Sequence, residues 1–184
     1  MGNRLTRIYT RTGDEGTTGI ADGTRLPKDA PRITAIGEVD ELNSLLGVIL
    51  ADPMLPEDVQ TCLESVQHDL FDFGGSLSLP GQTLLSQDAC GRLEKSLDEF
   101  NTTLPPLKEF ILPGGGQAAS FCHLARAVCR RAERALVTLS RTESVDKSLQ
   151  CYLNRLSDLL FVASRVLARH AGTGEVYWQK SGPS

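Results

Sequence analysis

Three arginines and a glutamate, Arg126, Arg130, Glu133 and Arg134, carry the strongest chemical signal in this chain of 184 residues. They lie in a stretch, Gln117 to Ser140, whose pattern predicts a helix. At about 100° per residue the four fall within one sector of it. Guanidiniums crowded on one sector repel each other unless anions fill the gaps. Glu133 can answer one of them; the rest want an external anion, and a guanidinium fork matches phosphate oxygens. Leu124, Val128, Ala135 and Leu139 are expected to make apolar contacts on the other sides. A solvated basic face is the plainer alternative, since arginines usually stay at the surface.

Two glycine-rich stretches could also meet an anion. Thr10 to Gly19 holds three glycines and four threonines in ten positions. Backbone N–H groups and hydroxyls of such a loop can converge on phosphate. It lacks the G-x-x-x-x-G-K-[ST] pattern, and by itself it fits a flexible arm as well as a phosphate cradle. The second stretch, Phe110-Ile111-Leu112-Pro113-Gly114-Gly115-Gly116, runs into the arginine helix. Its glycines suit either an anion at a helix N-terminus or a tight turn between closely packed helices. Phe110 reads as core or as a wedge against a flat ligand.

Composition narrows the classes. A net charge of −4 and a pI near 5.4 argue against a general nucleic-acid binder and suggest a local anion site at the basic cluster instead. At 40% hydrophobic and 23% charged the chain suits one soluble globular domain, and 5% aromatic content fits helices better than a β-sandwich. Cys62, Cys90, Cys122, Cys129 and Cys151 have no C-x-x-C spacing and read as small core hydrophobes. His68, His123 and His170 are scattered, which gives no protein-ligated zinc site. Met1 to Thr10 contains no apolar signal region and no stretch reaches 18 apolar residues, so a cytoplasmic location without membrane contact is expected.

The elements that must position these residues follow from periodicity. Helices are predicted over about Arg32–Ala51, Glu57–Leu77, Gln87–Thr103, Gln117–Ser140 and Val145–Ala171. Pro53, Pro56, Pro80-Gly81, Leu104-Pro105-Pro106 and Thr142-Glu143-Ser144 separate them, Ser86 is expected to cap the third, and Gly172 to end the fifth. Glu38, Asp40 and Glu41 suit the positive end of the first helix, and Asp40 could pair with an arginine of the cluster. Asn154, Asp158, Phe161 and Arg165 form a second row on the fifth helix, exposed or part of a buried network. Residues 1–31 read as non-helical, with period-two alternation only at Arg7-Ile8-Tyr9. The fold class is all-α, a five-helix bundle in a single domain: 1–31 an N-terminal segment, 32–171 the bundle, 172–184 a tail.

Five stretches, in order along nearly the whole chain, resemble the PduO-type ATP:cob(I)alamin adenosyltransferases. They are Ile8-Tyr9-Thr10-Arg11-Thr12-Gly13-Asp14-Glu15-Gly16-Thr17-Thr18, Gly37-Glu38-Val39-Asp40-Glu41-Leu42-Asn43 and Phe110-Ile111-Leu112-Pro113-Gly114-Gly115. Cys129-Arg130-Arg131-Ala132-Glu133-Arg134 and Leu153-Asn154-Arg155-Leu156-Ser157-Asp158-Leu159-Leu160-Phe161 complete the set.

The resemblance implies a homotrimer with active sites between subunits. It implies transfer of the 5′-deoxyadenosyl group of ATP to the cobalt of cob(I)alamin, giving adenosylcobalamin and triphosphate, with Mg²⁺ carried on the ATP phosphates. A reductase that supplies electrons and an adenosylcobalamin-dependent acceptor enzyme are further implied partners. By the same resemblance, Thr10, Arg11, Thr12, Gly13, Thr18, Gly19, Lys28, Arg130, Arg131, Glu133, Arg134 and Asn154 are expected to bind ATP. Asp40 and Arg126 match a salt bridge across the subunit interface beside the corrinoid. Phe110 matches an aromatic that crowds the lower face of the cobalt, and Tyr177 or Trp178 could supply a C-terminal aromatic. Arg11 and Glu15 stand where members of that family often carry lysine, so position 15 is not expected to touch phosphate. A corrinoid carrier and a helical interaction module with a solvated arginine face are the competing classes.

Overall fold

The structure, a computed structural model, describes residues 9–180. Five helices form the bundle: α1 Pro31–Leu50, α2 Glu57–Ser78, α3 Ala89–Thr102, α4 Gln117–Ser140 and α5 Lys147–His170. Each starts or stops at a sequence signal. Pro31 opens α1, where its missing N–H costs nothing. Asp146 caps α5, its carboxylate accepting the Ser148 N–H at 2.8 Å, and so fixes the start two residues later than periodicity predicts. Ser86 does not cap α3: Asp88 holds the cap position, and the Ser86 hydroxyl donates to that carboxylate instead.

The helices pack in the order α2–α1–α4–α5–α3 around a core of Leu42, Leu46, Leu63, Phe73, Leu136, Leu153 and Leu156, all essentially fully buried. Phe73 of α2 meets Tyr152 of α5 across its centre, ring centroids 6.2 Å apart. Cys122 and Cys129 lie in the α4–α5 seam, their Sγ atoms against the Leu160 and Leu153 carbonyls at 3.2 Å. Burial pushes the Cys122 thiol up to about 12 and the Cys129 thiol higher still, as befits core thiols. Cys151 departs from the core expectation and is exposed, with Cys62 and Cys90 half-buried. Leu124 departs likewise: at 48% exposure it packs against nothing in this chain's core.

Charge pairs close the α1–α4 seam. Buried Arg32 bonds the Glu143 carboxylate (2.6 and 2.9 Å) and the Leu77 carbonyl (2.5 Å). Arg131 bonds Glu38 at 2.5 Å and also Glu41. Glu38 and Glu41 therefore serve the seam rather than the helix dipole.

The N-terminal segment is more ordered than its composition suggests. Thr17–Gly19 (β1) and Arg25–Pro27 (β2) form an antiparallel hairpin with Thr18 opposite Leu26. The Ala21 N–H bonds the Ser78 carbonyl at 3.1 Å and ties this hairpin to the end of α2. Its strands are three residues long, too short for an alternating pattern to register. The alternation at Arg7-Ile8-Tyr9 lies, for Arg7 and Ile8, outside the described residues.

At the other end of the bundle the tail turns back after α5. Ile111 pairs with Tyr177 in an antiparallel bridge, flanked by Leu112 N–H to Val176 O at 2.8 Å and Trp178 N–H to Phe110 O at 2.7 Å. Gly115 makes this approach possible. It has φ +97°, and a Cβ there would run into the Cβ of Ala168 on α5. Of the two roles open to the Gly114–Gly116 run, close packing is the one seen. Among the described residues no helix is long and apolar enough to cross a membrane.

Candidate functional site

α4 presents its arginines in two directions. Arg131 faces α1 and is satisfied there. Arg126 and Arg130 face a cleft of about 610 Å³ between α3, α4 and α5, where Glu94, Asp98, Arg155, Asp158 and Phe161 also line the wall. Glu94 is already answered by Arg155 at 2.8 Å. Arg130 is exposed and forms no ion pair among the described residues. The Arg126 Nε is buried without a hydrogen-bond partner. Leaving a guanidinium N–H in that condition costs free energy, which an acceptor from outside the chain would relieve.

Glu133 answers a different group than expected. Its carboxylate accepts from the Asn154 amide at 3.3 Å, not from a neighbouring guanidinium. This links the two motif residues across α4 and α5, beside Arg134, whose Nη1 donates to the Arg130 carbonyl at 3.1 Å. Arg130, Glu133, Arg134 and Asn154 are thus one contiguous polar surface. Arg131 is not part of it: its guanidinium is held by Glu38 and Glu41, which also raise its pKa.

The N-terminal loop builds a second polar surface. The Thr10 and Thr12 hydroxyls are 2.8 Å apart, and Arg11 adopts φ +60° with its guanidinium 5.4 Å over the Tyr9 ring. Arg25 holds the loop shape through the Thr12 carbonyl (2.5 Å) and the Thr17 hydroxyl (2.7 Å). Lys28 stands over the loop, its Nζ 3.4 Å from where a Gly13 Cβ would be. Thr18 and Gly19 belong to β1. Among the described residues, no hydrogen bond or ion pair joins this loop to α4. Asp40 is exposed, and among the described residues its carboxylate has no partner, Arg126 included.

Phe110 is 76% exposed at the mouth of the glycine loop, and Trp178 is its hydrogen-bonded neighbour on the tail. Behind them His123 is buried with an unpartnered Nδ1, edge-on to Phe161 at 6.3 Å. Burial first, and then the Arg126 charge, hold its pKa below the ordinary 6.5. The periodicity of the sequence missed the α3 wall of the cleft, Glu94 and Asp98, because neither belongs to a recognisable motif. It also missed the partner of Arg165, which the structure places on Glu175 in the tail.

A helical bundle with unanswered guanidiniums in a cleft and a threonine–glycine loop defines a protein built to bind a polyanionic ligand. The comparisons sharpen this. The family described as cobalamin adenosyltransferase matches residues 8–167. A cobalamin adenosyltransferase of Cupriavidus metallidurans is 56% identical over 180 residues, covering 98% of both chains. The corrinoid adenosyltransferase of Bacillus subtilis is 41% identical, covering 95% of this chain and 93% of its own. Among solved structures, a phenylalanine-to-alanine variant of a PduO-type ATP:corrinoid adenosyltransferase from Lactobacillus reuteri, complexed with cobalamin and ATP, superposes with a TM-score of 0.89. It is 36% identical, with 95% of this chain and 100% of that one covered. The chain belongs to the cobalamin adenosyltransferase family.

Proposed function

We propose that this protein is an ATP:corrinoid adenosyltransferase in which α4 brings the nucleotide and the corrinoid together between subunits of a homotrimer. It transfers the 5′-deoxyadenosyl group of ATP to the cobalt of cob(I)alamin. The Co–C bond forms as the C5′–O bond breaks, and triphosphate leaves with the bonding pair. What carries the reading, beyond family membership, is the pair of unanswered guanidiniums, Arg126 and Arg130, in one cleft.

Arg130 and Arg134 hold the triphosphate, where fixed positive charge offsets the charge of the leaving group. The Glu133–Asn154 hydrogen bond fixes that surface and leaves the Asn154 side-chain amide oxygen, Oδ1, to the nucleotide. The loop of a neighbouring subunit, Thr10 to Gly13 with Thr18, Gly19 and Lys28, closes over ATP. The neighbour's Asp40 pairs with Arg126, in keeping with the lack of an ion pair for either among the described residues of one chain. Mg²⁺ comes with the phosphates and neutralises part of their charge.

The nucleophile is the substrate's own cobalt, so no activated Ser or Cys is required. Phe110, with Trp178 beside it, occupies the lower face of the corrinoid and keeps water and axial ligands from the metal, which makes its reduction easier. A reductase supplies the electrons and an adenosylcobalamin-dependent enzyme takes the product. These contacts, and the cytoplasm as the site of action, are inferred from the reaction.

The test is direct. The protein is mixed with ATP, Mg²⁺ and chemically reduced cobalamin, and the adenosylcobalamin spectrum is followed. Many turnovers per subunit are expected; a single stoichiometric binding event without turnover would make the protein a carrier instead.

A further inference from the structure

Resting on that reading, we propose that Arg165 is a positioning residue: its guanidinium clasps the two segments that carry Phe110 and Trp178, and so sets these rings side by side for the corrinoid.

The ladder between residues 110–112 and 176–178 is short. An isolated two-stranded pair of this length is at best marginal in water, so something must fasten it to the bundle. Its pairing puts Phe110 opposite Trp178 and Leu112 opposite Val176. With period two these four share one face, while Ile111 and Tyr177 take the other. That face is open: Phe110 is 76%, Val176 62%, Leu112 47% and Trp178 44% exposed. A contiguous apolar surface of this kind marks a binding face.

Arg165 on α5 bonds the chain ahead of each strand. Its Nε donates to the Glu175 carboxylate at 2.5 Å, and its Nη2 donates to the Pro105 carbonyl at 2.9 Å. Pro105 lies just ahead of the segment that carries Phe110, and Glu175 just ahead of the segment that carries Trp178. Among the described residues, no other side chain bonds to both segments. The Arg165 and Glu175 side chains are each only 4% exposed, so the pair is desolvated. Removing one partner leaves a buried charge uncompensated, and the tail has reason to detach rather than tolerate it. Lysine cannot substitute, because one ammonium lacks the planar fork that serves two acceptors on different segments. Arg165 has no hydrogen bond to Phe110 or Trp178 among the described residues and acts through the segments it holds.

Trp178 is the only tryptophan in the chain, so its fluorescence reports the tail alone. The experiment compares wild type with Arg165→Lys and Glu175→Gln, the second being isosteric, with circular dichroism on each to establish that the bundle still folds. Three quantities are measured on each full-length protein: acrylamide quenching of Trp178 without ligands, KM for cob(I)alamin, and KM for ATP. Both variants are expected to make Trp178 more quenchable and to raise the corrinoid KM on the order of tenfold, with the ATP KM within twofold of wild type. Unchanged quenching overturns the clasp. Increased quenching with an unchanged corrinoid KM overturns the positioning role. A parallel rise of both KM values means a general structural effect and also overturns it. If wild type forms no adenosylcobalamin at all, the functional reading fails and the positioning role with it; the quenching result then still decides whether the clasp exists.

Discussion

The two flanks of α4 use the same residue type to opposite ends. Toward α1, arginine is spent within the chain: Arg131 meets Glu38 and Glu41, and Arg32 on α1 meets Glu143 just past the end of α4. Toward the α3–α5 cleft, Arg126 and Arg130 form no ion pair among the described residues, and one buried N–H of Arg126 has no acceptor there. Arg130 and Arg131 are adjacent in sequence, yet helix geometry points them to different neighbours. A guanidinium with its own carboxylates supports the fold. One that forms no ion pair is open, on the proposed reading, to a ligand that brings its own negative charge.

The largest effect that could break this contrast is at Arg130. Arg130→Ala is expected to lower turnover at least a hundredfold, on the order of losing one charged contact in a transition state, while thermal unfolding stays close to wild type. Steady-state adenosylation and a melting curve on one preparation decide it. Phe110→Ala comes next. ATP affinity by calorimetry should be unchanged, but adenosylcobalamin should form roughly tenfold more slowly, since a partly shielded metal still reacts. An unchanged rate would remove Phe110 from the chemistry.

Arg131→Ala sharpens the contrast from the other flank. It should cost about 1 kcal/mol in urea unfolding, the upper range for a partly exposed ion-pair network, and reduce turnover far less than Arg130→Ala. Equal losses of activity at both positions would mean that Arg131 also touches ATP, as the family resemblance implied. The smallest effect is at His123. Its folded pKa lies below its unfolded value, so the stability gained from holding it neutral is present above 6.5 and is lost as pH falls through the lowered folded pKa. Unfolding free energy measured between pH 7 and pH 5 should fall for wild type, and His123→Gln should show a shallower slope.

Much of this was readable in the chain itself. The five helices follow from apolar spacing, and α4 matches its predicted ends, because Gly116 and the polar turn after Ser140 are strong local signals. The cleft arginines were readable because charge clustering on one helical sector is a local property. What was not readable depends on distant partners. Nothing in the spacing of Arg131 says that Glu38 and Glu41 will claim it, or that Glu133 will turn to Asn154 rather than to an arginine. The Arg165–Glu175 pair depends on a tail that reverses at Gly172 and Gly174, both at positive φ, and docks on a loop sixty residues earlier in the chain. The N-terminal hairpin escaped because three-residue strands carry too little pattern.

The central claim is that the loop of one subunit completes the α4 surface of another. Mixed assemblies test it most directly. Arg130→Ala chains and Lys28→Ala chains are each expected to be nearly inactive alone. When they are unfolded together, refolded at equal ratio and assayed for adenosylcobalamin, sites that combine an intact loop from one chain with an intact α4 from the other should restore roughly a quarter of wild-type activity, as random assortment in a symmetric oligomer requires. Mixtures no more active than their parents would contradict the account and place both halves of each site in a single chain.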